Sequence, residues 1–176
     1  MNPLVSLAKS SVETYIKEGK IITPGKSLPE KYLNNKAGTF VTIDKNGELC
    51  GCIGTYLPTR KNIAEEIIYN AISAATEDYR FKEITKEELP YLSYTVYVLK
   101  EPELIKDVSE LNPKKFGIMI RTVSENKTRV KSALLLPDLE GVNTVEQQIF
   151  ITCQKGGINP DKEKIIIYKF IADKFN

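Results

Sequence analysis

The chain has 176 residues, 41% of them hydrophobic and 27% charged, with a formal net charge of +2. This is ordinary globular composition, sufficient for one domain whose core needs no metal or disulfide. Histidine is absent, which excludes Ser-His-Asp and Cys-His triads, zinc sites built on histidine and the deaminase signature. The near balance of charge also gives no basic block of the kind that nucleic-acid-binding proteins usually carry.

The sequence also gives an expectation about location. No apolar run approaches the roughly 20 residues that span a bilayer, and residues 1–10 lack the pattern of a secretory signal. Three cysteines, an odd number, are typical of proteins kept in a reducing compartment. We therefore expect a cytoplasmic protein with no membrane partner.

The first predicted elements are a helix, a loop and a β-hairpin. Apolar residues at helical spacing predict an amphipathic helix that begins at Pro3 and stops at Gly19. The loop that follows contains one short helical turn, residues 30–33. Two β-rich runs, residues 40–43 and 48–54, flank Asn46-Gly47 and predict the hairpin.

The middle of the chain predicts a long helix and a central strand. Residues 61–76 form the most regular helical pattern, with Asn62 as its N-cap and an apolar face that should pack across the sheet. Thr85 is predicted to cap a short helix. Residues 93–99 are apolar on both faces, which is typical of a central strand.

The last third predicts three strands and one helix. A strand pair is predicted at 118–123 and 129–135, with a turn at Ser124–Lys127. A helix is predicted at 142–155, with a capping box at Thr144 and Gln147 and a stop at Gly156-Gly157. The last predicted strand is 164–170. Helices and strands mix without a regular βαβ repeat. The expected fold class is therefore α+β, a mostly antiparallel sheet packed with helices.

Two cysteines lie in the second strand of the hairpin. Cys50 and Cys52 are two residues apart, so a regular strand would point both to one face. The pair could be a thiolate nucleophile, a redox pair or a soft-metal site. The alternative, which we favour, is two small buried hydrophobic residues. A zinc site would also need Cys153 and a carboxylate, so we expect no metal.

A second group of polar residues, Glu77–Phe81, follows the long helix. Arg80 could hold the carboxylate or phosphate of a ligand, or it could pair with Asp78 and close the loop. The sequence leaves both open. The glycines at 51–54 do not form a P-loop, because the spacing and the lysine of that motif are missing.

Four segments in order resemble a known family: Ala37–Ile43, Leu49–Thr55, Asp78–Phe81 and Glu88–Pro90. They are similar to the AMME chromosomal region domain family, called AmmeMemoRadiSam system protein A in bacteria and archaea, and the resemblance covers nearly the whole chain. The family hallmark is Leu-Arg-Gly-Cys-Ile-Gly. This sequence has Cys50 in place of the arginine, and Phe116 where some members have histidine.

The resemblance implies one compact α+β domain, residues 1–176, with a larger and a smaller lobe. It implies a shared pathway with Memo-type and radical-SAM proteins but assigns no reaction. Because Cys50 stands where the family has arginine, the pair of Cys50 and Cys52 is not a feature of the family. Any anion contact made by the missing arginine would have to come from Arg60 or Arg80.

Three functional hypotheses follow. The first is an accessory, non-catalytic protein that binds a partner, a peptide or a small anionic ligand in a cleft formed by Gly51, Cys52, Ile53, Gly54, Thr55, Asp78, Arg80 and Phe81. The second is a thiol enzyme with Cys52 as nucleophile and Asp78, Glu77 or Tyr79 as the base, so enzymatic activity stays open. The third, a nucleic-acid-associated module, ranks last because the net charge is only +2. No cofactor is expected.

Overall fold

The structure, a computed structural model, describes residues 1–123 and 130–176. The helices and strands are α1 (Pro3–Glu18), α2 (Glu30–Asn34), β1 (Thr39–Lys45), β2 (Glu48–Thr55), α3 (Ile63–Thr76), β3 (Leu92–Leu99), β4 (Glu103–Leu104), β5 (Gly117–Thr122), β6 (Ser132–Leu135), α4 (Val145–Gly156), β7 (Ile165–Phe170) and β8 (Ala172–Phe175). The expected α+β class is confirmed.

The chain divides into two compact units, residues 1–99 with 173–176 and residues 100–172. One sheet has the strand order β2-β1-β3-β8 and the other β4-β7-β5-β6. Neighbouring strands run antiparallel in β1–β2, β1–β3, β4–β7, β5–β6 and β5–β7. The extent of the domain, 1–176, stays a prediction.

The core of the first unit lies between its sheet and the helices α1 and α3. Leu4 and Ile67 from the helices are fully buried, as are Val41, Ile43 and Val96 from the sheet. Helix α1 begins and ends where the sequence predicts, whereas α3 begins at Ile63, two residues later than predicted. The Asn2 side chain accepts a hydrogen bond from the Leu4 amide, and Gly19 takes the left-handed conformation with φ 66°.

The β1–β2 hairpin forms around the predicted turn. Asn46 and Gly47 both have positive φ, 53° and 86°, as a two-residue type I′ turn requires. Among the strands of the described residues, β2 pairs with β1 alone, so it is the edge strand of its sheet. The hairpin therefore brings residues 48–55 to the rim of the first unit.

In the second unit, α4 packs against β5 and β6. The helix begins at Val145, three residues later than predicted, because the Thr144 side chain caps it in a capping box with Gln147. Gly157 ends it with φ 59° and donates to the Cys153 and Gln154 carbonyls, so the glycine pair acts as a C-cap.

Some predictions from the sequence were wrong, and others concern residues that the structure does not describe. The helix predicted from Thr85 is a turn followed by a 3₁₀ turn at Leu89–Tyr91. Strands β4 and β8 were not predicted from the sequence. The turn predicted at Ser124–Lys127, and the start of the following strand at Arg129, lie outside the described residues. Among those described, no helix is both long and apolar enough to cross a membrane.

Candidate functional site

Cys52 lies on the edge strand β2 and opposite Thr42 of β1. Its Sγ atom is 3.3 Å from Thr42 Oγ1. The side chain is half-buried. The Cys52 amide and carbonyl are bound by the side chains of Asp78 and Arg80, which approach β2 from the side opposite β1.

The two hairpin cysteines do not share a face, so that prediction was wrong. The pairing of the strands shifts between Ile43 and Asp44, which face Gly51 and Leu49, and this leaves Cys50 as the extra residue of a β-bulge. Cys50 packs against the core of the first unit, and its Sγ donates to the Ile43 carbonyl. A bulge changes the alternation of side chains, which sequence spacing alone does not reveal.

The thiols of Cys50 and Cys153 both have a pKa above the usual value, and burial is the main cause. Burial raises the pKa of Cys50, and the nearby Asp44 carboxylate raises it further. Cys153 lies on α4 in the second unit, and burial raises the pKa of its thiol as well. Within the two described stretches of chain, no three Cys, Asp or Glu side chains are grouped closely enough to hold a metal ion.

Asp78 and Arg80 form a closed pair. Arg80 donates from Nε to Asp78 Oδ1 at 2.9 Å and from Nη2 to Oδ2 at 2.7 Å. The Cys52 amide donates to Asp78 Oδ2 at 2.9 Å, and Arg80 Nη2 donates to the Cys52 carbonyl at 3.1 Å. Of the two roles the sequence left open for Arg80, the structure supports closure of the loop.

The pair also sets the electrostatics of the site. The Arg80 guanidinium, aided by the Cys52 amide and opposed by burial, holds the pKa of Asp78 below its usual range. Asp78 in turn raises the pKa of Arg80. A carboxylate held ionised in this way is a weak proton acceptor, and it contacts the Cys52 amide rather than the thiol. This geometry does not favour Asp78 as the base of a thiol enzyme.

The other predicted binding residues of β2 make contacts within the first unit. Gly51 lies under α3, and a methyl group there would overlap the Ala74 carbonyl oxygen. Ile53 packs against the core. A methyl group at Gly54 would overlap the Phe40 ring. Gly51 and Gly54 therefore serve close packing of protein on protein.

The loop after α3 presents aromatic side chains. Tyr79, between Asp78 and Arg80, is 94% exposed. The Arg80 guanidinium lies over the Phe81 ring at 5.2 Å, and Phe81 is half-buried. The anchored loop therefore offers a fully exposed tyrosine beside an arginine stacked on a phenylalanine.

Thr55, the last predicted residue of β2, leads into a buried polar network. Its hydroxyl donates to Glu66 on α3 and accepts from the Asn70 side chain at 3.1 Å. Asn70 also donates to the carbonyl and hydroxyl of Thr39. Glu66 is only 1% exposed and accepts from the Thr59 amide and hydroxyl and from the Arg60 amide, at 2.7–2.9 Å.

The sequence predicted no role for Glu66, and this network was missed. A signal was present. Glu66 and Asn70 are four residues apart. Each is followed by an apolar residue, Ile67 and Ala71, in a helix that is buried along most of its length. Polar residues at these positions predict partners inside the protein.

Comparisons with known proteins place the chain in a family. A Thermotoga maritima protein is 43% identical over 99% of this chain and 97% of its own length. A Clostridium acetobutylicum protein is 42% identical, but the matched part is only 36% of its length. The crystal structure of uncharacterized protein PH0010 from Pyrococcus horikoshii is 33% identical, with a TM-score of 0.86, covering 97% of this chain and 88% of that one.

The model of the AMMECR1 family matches residues 5–175. That match spans both compact units and every segment on which the resemblance was based. The identities above 30% over almost the full length of this chain agree with it. The chain belongs to the AMMECR1 family.

Proposed function

We propose that this protein is a non-catalytic accessory protein, and that it binds a partner protein through the loop at 78–81 and the adjoining edge of β2. The observation that supports this most directly is the anchoring of the loop. Asp78 and Arg80 are fixed to each other and to both backbone groups of Cys52, while Tyr79 between them is 94% exposed.

The exposed surface has the composition of a binding site for protein. Tyrosine and arginine are enriched among the residues that contribute most to interfaces. A rigid loop loses little conformational entropy on association, so its side chains contribute more to affinity. The strand β2 beneath this surface is held by the close packing of Gly51, Ile53 and Gly54 and by the hydrogen bond from Thr55 to Glu66.

The partners we propose are the Memo-type and radical-SAM proteins that the family resemblance associates with this domain. In the Clostridium relative the matched region is part of a longer chain, so there this domain is joined to further sequence. Binding of a peptide or small anion by Arg80 is less well supported, because both oxygens of Asp78 already occupy that guanidinium.

The experiment is a binding measurement between the full chain and the purified Memo-type and radical-SAM proteins from the same genome. The test variant is Tyr79→Ala, which removes an exposed ring and no contact within the protein core. The matched control is Tyr91→Ala, a 60% exposed tyrosine of the same unit at the turn end of the hairpin. We expect at least one partner to bind, at least tenfold more weakly to Tyr79→Ala, as for loss of about 1.4 kcal/mol, and equally to Tyr91→Ala.

Two outcomes would contradict the proposal. One is that neither protein binds the wild-type chain. The other is that Tyr79→Ala and Tyr91→Ala bind like the wild type, which would place any interface elsewhere. Glycine substitutions in β2 are poor tests, because a side chain at Gly51 or Gly54 disturbs the packing of the first unit.

A further inference from the structure

The first unit contains a second candidate site in a cavity of about 610 Å³. It lies beside the first two turns of α3, and residues 51–55 and 78–81 are not part of its lining. A cavity of this volume is in the range that holds a small organic molecule. The lining residues that matter most are Lys36, Arg60, Lys61, Glu65, Ile68 and Tyr69.

Three of the lining residues are cations that have no carboxylate partner among the residues that the structure describes. Lys36, Arg60 and Lys61 form no ion pair with any described residue, in contrast to many other cations of the chain, such as Lys45 with Glu88. The cavity contains one acid, Glu65, which accepts from the Lys61 amide at 3.4 Å. The lining therefore has a net charge of +2 and attracts anions.

Arg60 is held in a defined position at this cavity. The buried Glu66 carboxylate accepts from the Thr59 and Arg60 amides at 2.7 and 2.8 Å, which fixes the backbone of the loop. The Arg60 guanidinium lies over the Tyr69 ring, 3.6 Å from its centre. A guanidinium held by stacking keeps its N–H edge available, and that edge matches a carboxylate or phosphate.

The rest of the lining is mixed. Its apolar residues are Ile21, Ile22, Pro24 and Ile68, and Thr23, Thr59 and Tyr69 carry hydroxyl groups. Ile22 and Pro24 come from the loop after α1, and Ile68 from α3. An occupant with a hydrophobic body as well as a negative group would cover the apolar part of this lining, which a bare inorganic anion would leave in contact with water.

We propose that this cavity binds a small organic anion, a carboxylate or a phosphate monoester carried on an apolar body, with Arg60 as its main contact and Lys36 and Lys61 beside it. Glu66 is a positioning residue, since it acts only through the backbone of Thr59 and Arg60. This site is independent of the partner surface at Tyr79, so either proposal can fail without the other.

The test uses the isotope-labelled full chain and three probes that share a naphthalene ring: 1-naphthyl phosphate, 1-naphthoate and the neutral 1-naphthamide. Nuclear magnetic resonance follows the amides of Lys36, Arg60 and Lys61 during each titration. We expect at least one anion to shift these amides and to bind at least tenfold more tightly than the amide probe. The two anions then show whether the site prefers a phosphate or a carboxylate.

Variants assign the effect to the cavity. Arg60→Gln and Lys36→Gln should each weaken the preferred anion at least fivefold, while Glu65→Gln should strengthen it by removing a like charge. The control is Lys86→Gln, an exposed lysine of the same unit outside the cavity. The proposal is overturned if naphthamide binds as tightly as the anions, if neither anion binds at millimolar concentration, or if Arg60→Gln and Lys36→Gln bind like Lys86→Gln.

Discussion

The hydroxyl of Thr55, at the end of β2, donates a hydrogen bond of 2.5 Å to the buried carboxylate of Glu66 on α3. This bond joins the strand that carries the family motif to the helix that lines the cavity. The same carboxylate holds the loop at 59–60, so one buried acid organises the end of β2 and the position of Arg60.

Replacement of Glu66 by glutamine should destabilise the protein by about 2–3 kcal/mol, because an amide nitrogen would face donors that need an acceptor. Chemical denaturation of the variant measures this change. Glu65→Gln is the matched control, since Glu65 is half-buried and makes one long bond of 3.4 Å, and we expect it to cost less than about 0.5 kcal/mol. Equal midpoints for Glu66→Gln and the wild type would show that the network contributes nothing.

Gly51→Ala should destabilise the first unit by about 1–3 kcal/mol, the usual cost of overpacking. The added methyl group would overlap the backbone of Ala74, and a helix backbone cannot rotate away as a side chain can. Gly25→Ala is the control, because its methyl group meets only Ser27 Oγ at an ordinary 3.6 Å. Thermal unfolding compares the two, and a Gly51→Ala variant as stable as Gly25→Ala would contradict the close approach of α3.

Asp78→Asn should destabilise the protein by about 2 kcal/mol, since it breaks charged hydrogen bonds to Arg80 and to the Cys52 amide. Denaturation at neutral pH measures the loss. The Asp78→Asn variant should also be alkylated faster at Cys52, because Asp78 no longer binds the Cys52 amide at the edge of β2. Unchanged stability together with unchanged alkylation would contradict an anchoring role for Asp78.

Acid should weaken the second unit through Glu110. Its hydrogen bond to Lys169, with backbone bonds from Lys106 and Asp107, lowers the pKa of Glu110 from 4.5 to about 2. Below pH 4.5 the unfolded carboxyl takes up a proton while the folded one does not, so this contribution is present in full above pH 4.5 and is lost as the pH falls toward 2.

Melting curves of Glu110→Gln and the wild type test this. The variant should melt at a lower temperature at pH 7, and the difference should shrink steadily as the pH falls from 4.5 toward 2. The control is Glu103→Gln, whose carboxylate is 3.8 Å from Lys169 and 74% exposed, and which should behave like the wild type. A difference that does not depend on pH would mean that Glu110 acts through packing.

Local chemistry made much of the fold predictable from the sequence. Asn46-Gly47 determined the hairpin, because few other pairs accept two positive φ angles. The caps predicted at Asn62 and Thr144 are present, although the predicted ranges of α3 and α4 began two and three residues too early. By contrast, the residues of β8, Ala172–Phe175, have weak strand propensity, and their place beside β3 makes them a strand.

The candidate site was harder to predict, because its features depend on tertiary contacts. The sequence could not decide between a ligand and Asp78 as the partner of Arg80, since that depends on β2 being an edge strand whose Cys52 backbone groups need partners. The bulge at Cys50 and the stacking of Arg60 on Tyr69 leave no periodic signal either.

The hydrogen bonds of Asp78 and Arg80 to the backbone of Cys52 also affect how readily β2 can pair with another chain. An uncovered edge strand is a template on which another chain can add a strand, and this is a common route to aggregation. Here two side chains satisfy the amide and the carbonyl that an incoming strand would need at the middle of β2. The loop thus blocks the addition of a strand at this point of β2 while it displays Tyr79.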